Sequence, residues 1–177
     1  MAKGTEWTNR IIGYDTVQAD QLLANPANWR VHPKGQQDAL TGVLNDIGWI
    51  APVLVNQRTG FVVDGHLRVS LAISRGESVP VAYLDLSEAE EAEALATFDP
   101  LASMAVCDKE QLDSLLREVE SGDAAVQAML ADLATKEGII PSDFDMAADE
   151  EQEQSGQKEV TCPECGACFA PRRSRNV

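Results

Sequence analysis

Short apolar segments bounded by turn residues predict four β-strands in the first hundred residues. They are residues 10–17, 52–56, 61–64 and 79–85. The second and third are separated by a polar turn at residues 57–60, so we expect them to form a hairpin. Longer segments with room for helices separate the others.

Apolar positions at helical spacing predict helices between these strands. In the first helix, at about residues 35–47, the apolar positions are Leu40, Val43, Leu44 and Ile47. A second helix spans about residues 66–75, and a glycine follows each of these two helices. Ser87 and Glu90 form a capping box that opens a third, acidic helix toward residue 97. The order β, α, β, β, α, β, α predicts a small α/β (α+β) domain, a mixed sheet with flanking helices.

Apolar residues again occur at helical spacing between residues 108 and 136, in two stretches on either side of Gly122 and Asp123. We expect a C-terminal helical hairpin, which either packs on the first domain or presents a face to a partner. The predicted organisation is a first domain at residues 10–100, the hairpin at 101–140, a linker at 141–160 and a tail at 161–177.

The charge of the chain is unevenly distributed. The net charge is −15 over 177 residues, but residues 1–85 carry only −1, residues 86–160 carry −16 and residues 161–177 carry +2. The acidic stretch at residues 143–158 has few apolar residues, which is typical of a linker. Nonspecific binding of duplex DNA by the whole surface is therefore disfavoured, whereas a phosphate-bearing ligand in the nearly neutral first half is not.

Targeting and membrane signals are not apparent in the chain. The longest apolar segments are far shorter than the roughly 20 residues that a bilayer requires, and the first residues do not follow the order of a signal peptide. We therefore expect a cytoplasmic protein that does not bind membranes.

The segment Asp64, Gly65, His66, Leu67, Arg68 lies where a buried strand meets the start of a helix. Backbone N–H groups and the helix dipole favour an anion there, and an arginine fork suits phosphate oxygens. His66 can donate to phosphate or move a proton, and Asp64 can hold a metal ion or orient His66. Alternatively, Asp64 caps the helix, His66 is an exposed polar residue and Arg68 pairs with a surface carboxylate.

A second polar loop precedes the first helix. It holds Asn25, Pro26, Asn28, Trp29, Arg30, His32 and Pro33. Each histidine of the chain thus lies two residues from an arginine, in a loop before a helix. Two such loops at one sheet edge can converge on a polyphosphate; alternatively, the prolines shape a turn and Trp29 packs on the core.

Several segments in order resemble a known superfamily. They are the N-P-x-N-x-R-x-H segment at residues 25–32, the helix end at 47–49, the strand at 52–55, the D-G-H-L-R segment at 64–68 and residues 76–81. Over residues 11–100 the chain resembles the ParB/sulfiredoxin superfamily, and specifically the phage-type ParB-like N-terminal (nuclease-like) domains associated with DNA methyltransferases. The resemblance implies a nucleotide-binding fold, with CTP used by partition proteins, ATP by sulfiredoxins, and kinase activity in some relatives.

The match to the family motifs is partial. Gly65 and Arg68 match the family's phosphate-binding box, but His66 stands where partition proteins have glutamate and sulfiredoxins have their catalytic cysteine. The later acidic box is absent near residues 96–101, where only Asp99 can serve as a metal ligand. We expect neither sulfiredoxin chemistry nor the helix-turn-helix DNA reader of partition proteins, for which the chain has no room.

The tail holds three closely spaced cysteines, Cys162, Cys165 and Cys168, in a zinc-knuckle-like C-P-x-C-G pattern. Zn²⁺ normally takes four ligands, so the fourth comes from a second chain or the knuckle is degenerate; Cys107 is expected to be a buried small residue. The basic end, Arg172, Arg173 and Arg175, can touch nucleic acid phosphates or act as a solubilising tail.

The sequence thus predicts a ParB-like protein that binds CTP or ATP, with or without Mg²⁺, and is linked to DNA modification or DNA metabolism. The nucleotide-binding residues are Arg30, His32, Gly65, His66 and Arg68, and the catalytic candidates are His66 and Asp64. Expected partners are the nucleotide, DNA at the basic tail, a DNA methyltransferase or other phage DNA enzyme, and a second copy of the chain. Two alternatives are a small-molecule phosphotransferase and a non-catalytic adaptor.

Overall fold

A four-stranded mixed sheet carries the candidate site. The computed structural model describes residues 6–139, and the backbone of residues 160–161 and 168–169. The strands of the sheet are β1 (Ile11–Gln18), β2 (Val53–Asn56), β3 (Val62–Asp64) and β4 (Ser78–Leu84). In the order β1, β4, β2, β3, the first pair is antiparallel, the second is parallel and the third is antiparallel. The predicted hairpin and the mixed α/β class are confirmed.

Five α-helices lie in residues 6–139. They are α1 (Lys34–Ile47), α2 (His66–Arg75), α3 (Glu88–Ser103), α4 (Lys109–Glu118) and α5 (Ala124–Glu137). The capping box at the start of α3 is present, with the Ser87 side chain and Glu90 each bonded to the other's backbone N–H. The helix continues beyond the predicted residue 97 and crosses residue 100, although Pro100 has no backbone N–H to donate.

Valines form most of the buried core. Strands β2 and β4 place alternate residues on one face of the sheet, and α2 covers that face with Val69 and Ala72. The buried cluster is Ala19, Val53, Val55, Val62, Val69, Ala72, Val79 and Val81. Each fully buried valine contributes about 1.5–3 kcal/mol relative to an exposed one. This packing fixes the position of the β3–α2 junction.

Helix α5 packs on α1 at a glycine. A Cβ on Gly42 would lie 2.5 Å from Cγ of Asp123 and 2.7 Å from Cγ2 of Val126. Asp123 caps α5 by accepting from the N–H groups of Ala125 and Val126, at 2.8 and 3.1 Å. The second helix of the predicted hairpin therefore contacts the first domain.

The predicted linker and tail lie almost wholly outside the described residues. Only β5 (Val160–Thr161) and β6 (Cys168–Phe169) are placed, as an antiparallel pair. Within residues 6–139, every helix is too short or too polar to cross a membrane.

Candidate functional site

The start of α2 is open to an anion. Strand β3 ends at Asp64, and Gly65 then turns the chain into α2 with a φ of +96°, a left-handed conformation that favours glycine. No side chain caps α2, so the N–H groups of its first turn face outward without a side-chain acceptor. A Cβ on Gly65 would lie 3.1 Å from Nη2 of Arg68 and 3.2 Å from Cγ2 of Val53. Glycine therefore permits both the turn and the close approach of the guanidinium.

Arg68 folds back over this turn. Its Nη2 lies 2.7 Å from Oδ2 of Asp64, and its Nη1 donates to the carbonyl of Ala51 at 3.1 Å. Both side chains of the ion pair are mostly buried, with 17% of Arg68 and 25% of Asp64 exposed. Asp64 therefore pairs with Arg68 and does not cap α2. The alternative interpretation, in which Asp64 caps the helix, is wrong.

The loop before α1 is shaped by its two asparagines. Oδ1 of Asn25 accepts from the N–H of Ala27 at 2.9 Å, and the carbonyl of Asn25 accepts from the N–H of Asn28 at 3.0 Å. Oδ1 of Asn28 in turn accepts from the N–H of Arg30 at 3.3 Å. Such side-chain to backbone bonds stabilise tight turns, so the loop presents Arg30 and His32 at defined positions.

Arg30 pairs with a carboxylate on α3. Its Nε contacts Oδ2 of Asp99, and 14% of the arginine side chain is exposed. Its Nη2 is buried with no hydrogen-bond partner among the described residues. The guanidinium carbon lies 5.4 Å from the ring centroid of Trp29, within the range of a cation–π contact. Trp29 itself is 61% exposed and its Nε1 donates to the carbonyl of Leu95 at 3.2 Å, so it lies at the surface of the domain.

His66 is held as a neutral imidazole. Its Nε2 lies 3.3 Å from the backbone nitrogen of Asn25, which donates to it. Burial lowers the pKa of His66 below its usual value of about 6.5; Asp64 raises that pKa, whereas Arg30 and His32 lower it. Because Nε2 accepts a hydrogen bond, the proton of the neutral ring belongs on Nδ1. In this arrangement Nδ1 of His66 is a hydrogen-bond donor. Nε2 can accept a proton only after its hydrogen bond with the N–H of Asn25 is broken.

The second histidine lies at the start of α1. Nδ1 of His32 is 3.0 Å from Oε1 of Gln36, and the carbonyl of His32 accepts from the side-chain amide of Gln37 at 2.8 Å. Since the oxygen of Gln36 can only accept, Nδ1 of His32 is the donor of that bond.

One pocket of about 240 Å³ brings these groups together. Its lining includes all six residues that the sequence proposed for nucleotide binding or catalysis: Arg30, His32, Asp64, Gly65, His66 and Arg68. Gln36, Leu40, Leu67 and Asp99 complete it. The two loops thus meet at one site, and two arginines and two aspartates face the same space.

Sequence reasoning missed a buried carboxylate beside this site. Glu91 lies at the acidic start of α3 and is only 6% exposed. It accepts hydrogen bonds from Asn25, Asn56 and Thr59. A weak signal existed, because Leu95 lies four residues later on the same side of the helix and is also buried.

Metal binding in the tail stays a prediction. Cys162 and Cys165 lie outside the described residues, and Cys168 is described only as backbone of β6. Cys107 is partly exposed, so the expectation that it is buried is wrong. In the part of the chain that the structure describes, no group of three or more His, Cys, Asp or Glu side chains could hold a metal ion.

Comparison with known proteins gives structural matches only. No protein-family model matches the chain, and no curated protein matches its sequence. A Pnob8-like ParB-N domain is 17% identical, with a TM-score of 0.45, and the match covers 93% of this chain and 59% of that one. A second structure, of the pNOB8-like ParB N-domain, is also 17% identical, with a TM-score of 0.46 and coverage of 94% and 56%.

A third match is the C-terminally truncated chromosome-partitioning protein ParB from Caulobacter crescentus, complexed with CTP-γ-S. It is 16% identical, with a TM-score of 0.45, and the match covers 81% of this chain and 88% of that one. The chain spans less than two thirds of the two pNOB8-like structures. At such identities the likeness concerns the fold alone: in fold, the chain is similar to ParB N-terminal domains.

Proposed function

We propose that the pocket at the start of α2 binds the phosphates of a nucleoside triphosphate, CTP or ATP, in a ParB-like protein linked to DNA modification or DNA metabolism. The observation that carries the proposal is the uncapped start of α2 opening into a pocket that two arginines line. The link to DNA metabolism rests on the resemblance of the two loop motifs.

The backbone supplies the first part of a phosphate site. The N–H groups of His66, Leu67 and Arg68 begin α2 with no side-chain cap, and the helix dipole adds partial positive charge there. Gly65 has no Cβ, so a phosphate oxygen can approach this turn closely. A side chain at this position would fill part of that space.

Two arginines supply the second part. Arg68 and Arg30 both line the pocket, and each is paired with a carboxylate: Arg68 with Asp64 and Arg30 with Asp99. A guanidinium fork binds phosphate oxygens in the same bidentate way as a carboxylate, so a triphosphate can exchange with the carboxylates. The buried Nη2 of Arg30, which has no partner among the described residues, gains an acceptor in this exchange.

If a triphosphate displaces Asp64 and Asp99 from the two arginines, their carboxylates would be free to bind a magnesium ion. Mg²⁺ in nucleotide sites commonly takes one or two carboxylate oxygens together with phosphate oxygens and waters. Asp64 and Asp99 both line the pocket, so they are the residues that would hold it. The ion would neutralise phosphate charge that the two arginines leave uncompensated.

His66 fits the role of a phosphate donor better than that of a base. Its Nε2 is occupied by the Asn25 N–H, which leaves Nδ1–H as the free donor. The pocket volume of about 240 Å³ is below the roughly 300–1,000 Å³ of typical small-molecule sites. The phosphates would therefore occupy the pocket, and the ribose and base would extend beyond it.

Calorimetric titration with CTP, ATP and GTP, each with and without Mg²⁺, tests the proposal. We expect one of them to bind, and Arg68→Ala to lose at least about tenfold in affinity, since hydrogen bonds to charged groups are worth about 1.5–3 kcal/mol. Arg75→Ala is the matched control, because Arg75 lies at the other end of α2 and does not line this pocket. If no nucleotide binds at millimolar concentration, the proposal fails.

Two further measurements separate the alternatives. Turnover of ATP with a small hydroxyl compound, lost in His66→Ala, would indicate a phosphotransferase. A folded protein that binds no nucleotide but captures a DNA-modifying enzyme would indicate an adaptor.

A further inference from the structure

We infer that Glu91 is a positioning residue for the phosphate pocket: through Asn25 it holds the backbone N–H that fixes His66 in its Nδ1–H form. Glu91 does not line the pocket, and it acts only through its contacts. The role of His66 toward phosphate rests on the proposed function, whereas the link from Glu91 to His66 rests on the geometry alone.

The two carboxylate oxygens of Glu91 have different partners. Oε1 accepts from Nδ2 of Asn25 at 2.8 Å. Oε2 accepts from Nδ2 of Asn56 at 2.6 Å and from Oγ1 of Thr59 at 2.5 Å. One oxygen thus holds the loop before α1, and the other holds the turn between β2 and β3.

A carboxylate in this position is costly unless donors compensate it. Glu91 is 6% exposed, and the three donors that bond it are neutral amide and hydroxyl groups. Asn25 and Asn56 are themselves buried, at 6% and 0% exposed. Because Asn25 and Asn56 are buried, solvent does not offer their side-chain amides an alternative acceptor to Glu91. The hydrogen bonds therefore constrain one another, and the position of Asn25 depends on Glu91.

The constraint reaches His66 through the main chain of Asn25. The side chain of Asn25 donates to Glu91, while its backbone N–H donates to Nε2 of His66 at 3.3 Å. The imidazole can accept that bond only while Nε2 carries no proton. Holding Asn25 in place therefore favours the form of the ring that carries its proton on Nδ1.

Other groups around His66 act on its charge directly. They are Asp64 on β3 and Arg30 and His32 in the loop before α1; Arg68 on α2 and Asp99 on α3 line the same pocket. None of them bonds directly to Glu91 in the described residues, although Arg30 and His32 belong to the loop that Asn25 holds.

A purely structural role for Glu91 makes a different prediction. If it only stabilises the fold, losing either oxygen's partners should have equal consequences for His66. If it positions His66, only the Oε1 side matters. The two sides can be changed separately.

An exchange of donor and acceptor provides the test. In Glu91→Gln, the new amide nitrogen faces a donor, either Nδ2 of Asn25 or the donors of Asn56 and Thr59. In Asn25→Asp, two carboxylates face each other, while the oxygen that accepts from the N–H of Ala27 is kept. In the double variant Asn25→Asp/Glu91→Gln, the side chain at position 91 donates and the side chain at position 25 accepts, so the hydrogen bond is restored with its direction reversed. The amide oxygen at position 91 still accepts from Asn56 and Thr59. Thr59→Val is the control, since it removes one hydrogen bond from the other oxygen.

The readout is ¹⁵N NMR of the histidine rings in the full chain, without nucleotide and at one alkaline pH, where the chemical shifts report which ring nitrogen carries the proton. We expect each single variant to populate the Nε2–H form of His66 and to change the ratio of its two tautomers by about threefold. The double variant should return this ratio to its wild-type value, and Thr59→Val should leave it unchanged.

Two results would overturn the inference: single variants that are folded but leave the His66 ring signals unchanged, or a Thr59→Val variant that shifts them equally. Because the NMR experiment contains no nucleotide, it can succeed even if the proposed function fails. Affinity for the nucleotide that wild type binds is then measured in the same four variants. A loss of about threefold in the single variants, restored in the double variant, would tie the positioning to the phosphate site.

Discussion

Oδ2 of Asp64 and Nη2 of Arg68 lie 2.7 Å apart, one helical turn from each other at the start of α2. The carboxylate of Asp64 is therefore bound to the guanidinium group that the proposed phosphate would bind. Ligand binding at this site must include the free energy of separating this pair, or of bridging it with a cation.

Asp64→Asn is expected to strengthen binding of the triphosphate when Mg²⁺ is absent. Removing a negative charge next to the arginine should raise the affinity by about tenfold, or ~1.4 kcal/mol. With Mg²⁺ the gain should shrink, because a ligand for the ion is lost. Calorimetry with and without EDTA measures both effects. Asp38→Asn, in the exposed pair with Lys34 on α1, is the control; weaker Mg²⁺-free binding in Asp64→Asn would contradict the prediction.

Gly42→Ala should destabilise the fold by about 1–3 kcal/mol, because its Cβ would overlap Asp123 and Val126 and push α5 away from α1. Gly35→Ala on the same helix is the matched control. A Cβ there has no atom within 4 Å, so helix propensity should make that variant more stable by about 0.5–1 kcal/mol. Urea denaturation of both variants gives the comparison, and equal stabilities would refute the close packing of α5 on α1.

Glu90 should contribute stability that is lost in acid. Hydrogen bonds from Arg10, and then from Ser87, lower the pKa of Glu90 to about 2. A depressed carboxyl pKa stabilises the fold above the unfolded value of about 4.5, and the contribution disappears as the pH falls toward 2. Glu90→Gln should therefore be less stable than wild type at pH 7 and converge with it in acid, as denaturation at several pH values would reveal. The exposed Glu93→Gln should follow wild type throughout.

The strands and helices that place the site could be predicted because their signals are local. Glycine before a helix, alternating valines in β2 and β4, and the Ser87–Glu90 capping box each act within a few residues. The grouping of Arg30 with Gly65 and Arg68 also followed, since both loops precede helices and the resemblance joined them. Their ligand stays a proposal.

The contacts that set the chemistry of the site could not be predicted, because they join distant segments. Arg30 pairs with Asp99, 69 residues later, and Asn25 bonds to Glu91, 66 residues later. Several glutamates crowd the start of α3, and a single sequence does not show which of them faces inward. Side-chain partners across the fold depend on the packing of α3 against the sheet, which the apolar pattern of α3 only partly specifies.

The neutral state of His66 should make the fold less stable as the pH falls below about 7. Its folded pKa is lowered, first by burial, so in the window below the unfolded value of about 6.5 the unfolded chain binds more protons than the folded one. Unfolding free energy therefore decreases as the pH falls through this window, and the decrease ends once the folded ring is protonated. Denaturation between pH 7.5 and 5 measures the slope. His66→Gln should flatten it, whereas His32→Gln, which removes the other histidine of the chain, should retain the part due to His66. An unchanged slope in His66→Gln would show that His66 binds protons equally in the folded and unfolded states, which would contradict the lowered pKa.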